Sequence, residues 1–231
     1  MLTLDEHLFS TRAQLDTALS GKIADLLANA IDEKNAATLV LSGGNTPKGM
    51  LDRLSQYDVA WDRVTVLLAD ERWVTPDSER SNEKMIRECF LKNAARSAHF
   101  QGMQVAHLGA YNVPDYLEDK LEFLDHPADV LVLGMGEDGH TASLFPCAEN
   151  IEELLSNDNQ LKTVVVEPKT APDLRISLSF PVLKRSDNIF VHFTGDLKKE
   201  IFQKISSGYL TAPLGALLTA AEGNIRLYWA S

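Results

Sequence analysis

Leu15, Leu19, Ile23, Leu26, Leu27, Ala30 and Ile31 recur at helical spacing, which predicts one amphipathic helix over about residues 10–33. The next apolar run, ATLVLSGG, reads as a short buried strand ending in glycines, and Pro47 suits the first turn of a following helix. VTVLLADER repeats the theme, an apolar strand running into charge. SNEKMIRECFLK predicts a helix capped by Ser81 or Asn82, and Pro114 to Asp125 another. ADVLVLG is the most apolar strand of the chain; KTVVVEP, RISLSF, NIFVHFTG and NIRLYWA are later strands, with helices at DLKKEIFQKI and PLGALLTAA. Strands bounded by glycine or charge and alternating with helices predict an α/β fold. The expected form is a mostly parallel twisted sheet with helices on both faces.

Composition narrows the picture. A hydrophobic share of 45% with 24% charged residues is ordinary for a soluble globular protein. No linker, low-complexity tract or internal repeat divides the 231 residues, so a single domain over residues 1–231 is expected. The net charge of −11 repels polyanions, and no basic run offsets it, which argues against a nucleic-acid partner. A small anionic substrate stays open, because a few cations can dominate one pocket. The start of the chain lacks a signal-peptide pattern, and no apolar run approaches the ~18 residues of a membrane span. Cys89 and Cys147 form no CxxC pair and suit a cytoplasmic location.

In open parallel sheets, ligands bind at the carboxyl ends of the strands. The unusual residues of this chain fall at those ends: Ser42-Gly43-Gly44, Asp70-Glu71-Arg72, Gly134 to His140 and Thr194-Gly195. Gly134-x-Gly136-x-x-Gly139 matches the dinucleotide fingerprint, but its context opposes that role. Glu137 and Asp138 would repel a pyrophosphate, Pro146 leaves little room for a helix, and Asp158 precedes the next strand instead of ending it. The simplest alternative is a glycine turn with an exposed His140. Against it, Asp138 and His140 bracket Gly139 at the end of a buried strand, where a carboxylate can fix the imidazole tautomer and raise its basicity. A histidine so placed is a candidate general base. No GxSxG, HExxH or P-loop motif is present, and His7, His99, His107, His126 and His192 lack metal-ligand spacing; each is expected to be structural or exposed, and no metal or cofactor is expected.

LSGGNTPKGM combines a strand, a glycine turn and a helix start. Gly43 and Gly44 permit close backbone approach while Ser42, Asn45 and Thr46 offer side-chain bonds, as a phosphate cradle requires. A tight strand-to-helix turn also needs glycine, and this stretch alone does not separate the two. Arg72, Arg175 and Lys198 lie near strand ends or helix entries; as a set they favour a phosphorylated small molecule.

SGGNTP (42–47), DERWVTPDSERSN (70–82), GMGEDGHTASLFP (134–146), RISLSF (175–180) and TGDLKKE (194–200), in this order, resemble the 6-phosphogluconolactonases of the sugar-phosphate isomerase/deaminase-like superfamily. The resemblance spans most of the chain. It implies hydrolysis of 6-phospho-D-glucono-1,5-lactone in the oxidative pentose phosphate pathway, with a small phosphorylated sugar lactone as partner. By the same resemblance His140 is the general base and Asp138 its tuning partner. Ser42, Gly43, Gly44, Asn45, Thr46, Arg175 and Lys198 bind phosphate, Arg72 holds substrate or steadies developing charge, and Asp70 is an active-site acid of unassigned role. Two departures stand away from this chemistry: IRLYWAS ends in serine where many members carry an acid nearby, and RISLSF has serines where threonines are common.

Two alternatives accompany this expectation. Glucosamine-6-phosphate deaminases share the DGH core but continue with an acid where this chain has Phe145, and a phenyl ring transfers no proton. A non-catalytic sugar-phosphate sensor would need a DNA-binding partner, and no helix-turn-helix precedes residue 10. A monomer or small homo-oligomer is expected.

Overall fold

The computed structural model describes residues 4–105 and 107–231. Along them run β1 (Asp5–Phe9), α1 (Arg12–Lys34), β2 (Ala37–Leu41), α2 (Lys48–Leu54), β3 (Val64–Leu68), β4 (Asp70–Arg72), α3 (Asn82–Cys89), β5 (His99–Gln101) and α4 (Val113–Lys120). The second half contributes β6 (Val130–Leu133), α5 (Ile151–Leu154), β7 (Thr163–Val166), β8 (Arg175–Leu178), α6 (Phe180–Arg185), β9 (Asn188–Thr194), α7 (Asp196–Ser206), α8 (Pro213–Ala220) and β10 (Asn224–Ala230).

Seven strands form one sheet in the order β1-β10-β9-β6-β2-β3-β5, and every neighbouring pair is parallel. Every residue of β6 is buried, although successive side chains point to opposite faces, so both faces of the sheet centre are covered. The edge strand β1 is largely open to solvent, which explains why it lacks a strong apolar signature. The long first helix runs as its periodicity predicts. Leu15, Leu19, Ile23, Leu27 and Ile31 are buried, the Thr11 side chain caps its start by accepting from the Gln14 N–H, and Asn35 ends it in the left-handed region at φ 62°.

From β2 the chain moves outward through β3 to β5; β6 then returns to the other side of β2, and β9 and β10 continue away from it. The loops leaving β2 and β6 therefore diverge, and a crevice opens between them.

One expectation is corrected. KTVVVEP and RISLSF do not join the parallel sheet: β7 and β8 pair antiparallel with β4 in a separate three-stranded sheet. The reason lies in the connection, because the short segment 167–174 holds no helix and cannot make a parallel crossover, which needs about a dozen residues or more. VTVLLADER is likewise two strands, parted at Ala69, so the chain steps from the large sheet into the small one beside the crevice. The helix expected over Pro114–Asp125 ends at Lys120 and is followed by a 3₁₀ turn at Glu122–Asp125.

Glu71 locks the small sheet to α3. Its carboxylate is fully buried and accepts from the N–H groups of Arg72, Asn82 and Glu83 at 2.7–2.8 Å and from the Ser81 hydroxyl at 2.9 Å. Two of those amides belong to the first turn of the helix, where N–H groups lack intrahelical partners. Burial pushes the Glu71 carboxyl above its ordinary range, and the four hydrogen bonds oppose that rise. Glu71→Gln would turn an amide donor toward donors. We expect it to lower unfolding stability by about 2–3 kcal/mol in urea titration; a loss under about 0.5 kcal/mol, the range of ordinary surface changes, would refute this role.

Candidate active site

A cavity of about 330 Å³ occupies the crevice. The loop after β2 supplies Ser42, Gly43, Gly44, Asn45 and Thr46, the small sheet supplies Asp70, Arg72 and Arg175, and the loop after β6 supplies Gly134 and His140. Lys198, in the first turn of α7, completes the set. Asp138 does not line the cavity but pairs with His140, which does. Thr194-Gly195 does not line it either: Gly195, at φ 92°, precedes α7 and sets where that helix begins.

The 134–140 loop accounts for the glycines of its motif. The Gly136 N–H donates to the His140 carbonyl at 3.0 Å and the Gly139 N–H to the Gly136 carbonyl at 3.1 Å, closing a tight turn. A Cβ on Gly136 would overlap the His140 ring and the Asp138 carboxylate. Gly139 sits at φ 79°, where a side chain would also press on Ala212 and Ile205. Within this turn Asp138 Oδ1 accepts from the His140 backbone N–H at 3.1 Å and lies 2.6 Å from its Nδ1. A carboxylate there fixes the proton on Nδ1 and leaves Nε2 as the basic nitrogen. The histidine is partly sheltered, its side chain 30% exposed.

Phe145 covers one side of this imidazole, with ring centroids 4.2 Å apart, and the Arg175 guanidinium lies 5.6 Å from the same phenyl ring. Ala142, at φ 47°, holds the turn between them in a backbone conformation unusual for a residue with a side chain. That turn is anchored to the small sheet: the Ser143 hydroxyl donates to the Asp70 carboxylate and the Ser143 N–H to the Ser177 hydroxyl. Asp70 thus combines a cavity-lining position with a structural tie.

The cations are arranged against their own interest. Arg72 and Arg175 are direct cross-strand partners, a repulsive pairing. Arg175 is only 7% exposed, and burial first, then the Arg72 charge, lowers its pKa. The Nε atoms of both arginines and the Ser42 hydroxyl are buried without a partner in the protein. Lys198 Nζ donates to the Met135 carbonyl at 2.7 Å; burial lowers its pKa, opposed by the Glu137 and Asp138 charges. Donors and positive charge left unmatched around one cavity fit an anion.

Several cavity residues escaped the sequence reasoning. Asn82 appeared only as a cap; Ser81 does the capping, while the Asn82 side chain donates to the Asp70 carbonyl and lies against Gly43, where a Cβ would strike it. His192, expected to be structural or exposed, is buried and lines the cavity. Its sequence signal was a single polar residue inside the apolar strand NIFVHFTG. Among the described residues, no group of three or more His, Cys, Asp or Glu side chains is placed to hold a metal ion, and no helix is long and apolar enough to cross a membrane.

Fold and cavity together define a class: a parallel α/β protein with a carboxylate-oriented histidine and clustered cations at its switch point. The family model described as glucosamine-6-phosphate isomerases/6-phosphogluconolactonase matches residues 10–229, and the chain belongs to that family. It is 33% identical to the 6-phosphogluconolactonase of Rhizobium meliloti (strain 1021) over 99% of this chain and 100% of that protein. It is 36% identical to that of Mesorhizobium japonicum (strain LMG 29417 / CECT 9101 / MAFF 303099), over 96% and 93%. The solved structure of a 6-phosphogluconolactonase from Shewanella baltica OS155 superposes with a TM-score of 0.93 at 36% identity, covering both chains completely.

Gly136→Ala tests the geometry of the turn. The added methyl displaces the imidazole, so kcat should fall at least about 100-fold, as a misplaced catalytic group costs, while the urea midpoint moves little. Near-normal kcat would mean that the position of His140 is not what the glycine protects.

Proposed function

We propose that this chain hydrolyses 6-phospho-D-glucono-1,5-lactone to 6-phospho-D-gluconate, the second step of the oxidative pentose phosphate pathway, with His140 as general base. The observation that carries the proposal is the Asp138–His140 pair on the wall of a cavity that also bears Arg72, Arg175 and Lys198. Asp138 holds the proton on Nδ1, and Nε2 takes a proton from water as its oxygen adds to the lactone carbonyl carbon. The tetrahedral oxyanion then collapses, the bond from that carbon to the ring oxygen breaks, and the departing oxygen receives the proton from Nε2. A lactone is already an activated ester, so one base and charge stabilisation suffice without a nucleophilic triad.

The Ser42–Thr46 turn, Arg175 and Lys198 bind the remote phosphate, which orients the carbonyl toward His140 and lowers the barrier by several kcal/mol. Arg72 holds the substrate or steadies the developing negative charge, and Asp70 keeps the 141–145 turn against the small sheet. The Phe145 ring, at the place where a deaminase would need an acid, favours hydrolysis over isomerisation with amine release. No metal or cofactor is needed for these steps. We further propose that the chain works in the cytoplasm as a monomer or small homo-oligomer, without a nucleic-acid partner.

Freshly generated lactone, assayed with chelator present and the spontaneous rate subtracted, should be turned over rapidly. No acceleration by folded protein that still binds 6-phosphogluconate would move the assignment to a sensor. His140→Ala should lower kcat about 10²–10⁴-fold and leave 6-phosphogluconate binding intact; wild-type turnover would refute the base.

Lys198 gives a pH signature. Its lowered pKa means that the ammonium loses its proton earlier on the alkaline side than an exposed lysine would. Calorimetric affinity for 6-phosphogluconate should therefore weaken on the alkaline side at a lower pH than an ordinary lysine would give, and Lys198→Arg should abolish that limb. A wild-type limb that persists in the arginine variant would belong to another group.

A further inference from the structure

We infer that His192 is a specificity-determining residue of the cavity, hydrogen-bonding one hydroxyl of the sugar lactone beside an open slot over Gly134. The inference rests on the proposed lactone substrate and deepens it.

Three strands place the slot. Leu41 pairs with Val132 and Leu133 with Val191; carrying the parallel register forward sets Gly43, Gly134 and His192 abreast, with Tyr228 paired to His192 beyond. The Asn82 amide fills the space over Gly43, whereas a Cβ on Gly134 would meet nothing within 4 Å. Asn82, Gly134 and His192 all line the cavity. The gap is one side chain wide, with an amide on one side and an imidazole on the other.

His192 is 2% exposed, and its Nε2 is buried with no hydrogen-bond partner. A buried polar atom left without a partner destabilises the fold, and an apolar residue like its neighbours Val191 and Phe193 would avoid that cost. The other unpartnered atoms of the cavity, Ser42 Oγ and the two arginine Nε atoms, are accounted for by an anion. His192 differs: burial, reinforced by the Arg12 charge, holds its pKa down at about 3, so the ring is neutral. A neutral imidazole presents one N–H and one lone pair, which matches a hydroxyl better than a second cation for phosphate. The proposed hydrolysis makes no other use of it.

The test compares wild type, His192→Phe and His192→Gln on the parent lactone and its 2-, 3- and 4-monodeoxy forms. Wild type should discriminate against one deoxy form by about 10–100-fold in kcat/KM, through KM more than kcat. His192→Phe should lose a similar factor on the parent and treat that deoxy form and the parent alike; His192→Gln should recover part of the difference. Gly134→Ala, which fills the slot, should reproduce the loss. If the phenylalanine variant does not fold, His192→Leu is compared in the same way. Unchanged ratios across the panel in the folded variant would overturn the inference, because a purely structural histidine would lower activity without altering preference among hydroxyls. Binding of the corresponding open-chain acids, measured by calorimetry, decides the matter even if wild type fails to hydrolyse the parent; that failure alone would overturn the proposed hydrolysis.

Discussion

The buried carboxylate of Glu71 is the joint on which the site hangs. It satisfies the first amides of α3 and the Ser81 hydroxyl while sitting in the strand that carries Asp70 and Arg72. Through it the small antiparallel sheet is tied to α3, while Ala69 links it to β2 of the large sheet. Asn82 is thereby set against Gly43, and Arg72 against Arg175. A charge fully removed from water is tolerated only when its lone pairs are occupied, and here four donors occupy them. One acid thus ties β4 to the start of α3, and its work is structural although it stands between Asp70 and Arg72, which line the cavity.

The 134–140 turn shows how a phosphate-binding pattern can serve other chemistry. The dinucleotide fingerprint uses glycines to let an anion approach the backbone. In this chain Gly136 makes way for an imidazole and a carboxylate, and Gly139 supplies a left-handed backbone where the loop meets the α7–α8 corner. In the proposed reading, anion binding falls instead to the neighbouring Ser42–Thr46 turn and to the cations. Arg175 and Lys198 reach the cavity beside His140, Arg175 across the shared Phe145 ring and Lys198 through the Met135 carbonyl.

Much of this was legible in the sequence. The spacing of Leu15 to Ile31 gave the long helix, the apolar run ADVLVLG the central strand, and strand-end glycines and charges the position of the cavity. Ten of the eleven expected site residues line the cavity, and Asp138 meets it through His140. The small sheet was not legible from periodicity, since a short apolar run looks the same in parallel and antiparallel company; only the brevity of segment 167–174 gave it away. The edge strand β1 was hidden because half-exposed edges need no apolar alternation. Glu71 and His192 were hidden for a different reason: pattern marks where a polar residue interrupts a buried run, but only three-dimensional neighbours reveal whether its hydrogen bonds are met.

The opposed Arg72 and Arg175 have a meaning outside catalysis. Two like charges face each other across adjacent strands, one of them almost wholly buried, with nitrogen donors left idle. The empty protein carries this repulsion in its folded form, and the unfolded chain does not. Any phosphate ester that seats between them relieves it, and ligands that bind only the native state raise the free energy of unfolding with their concentration. The proposed phosphate ester would thus add to the stability of the fold as well as occupy its cavity.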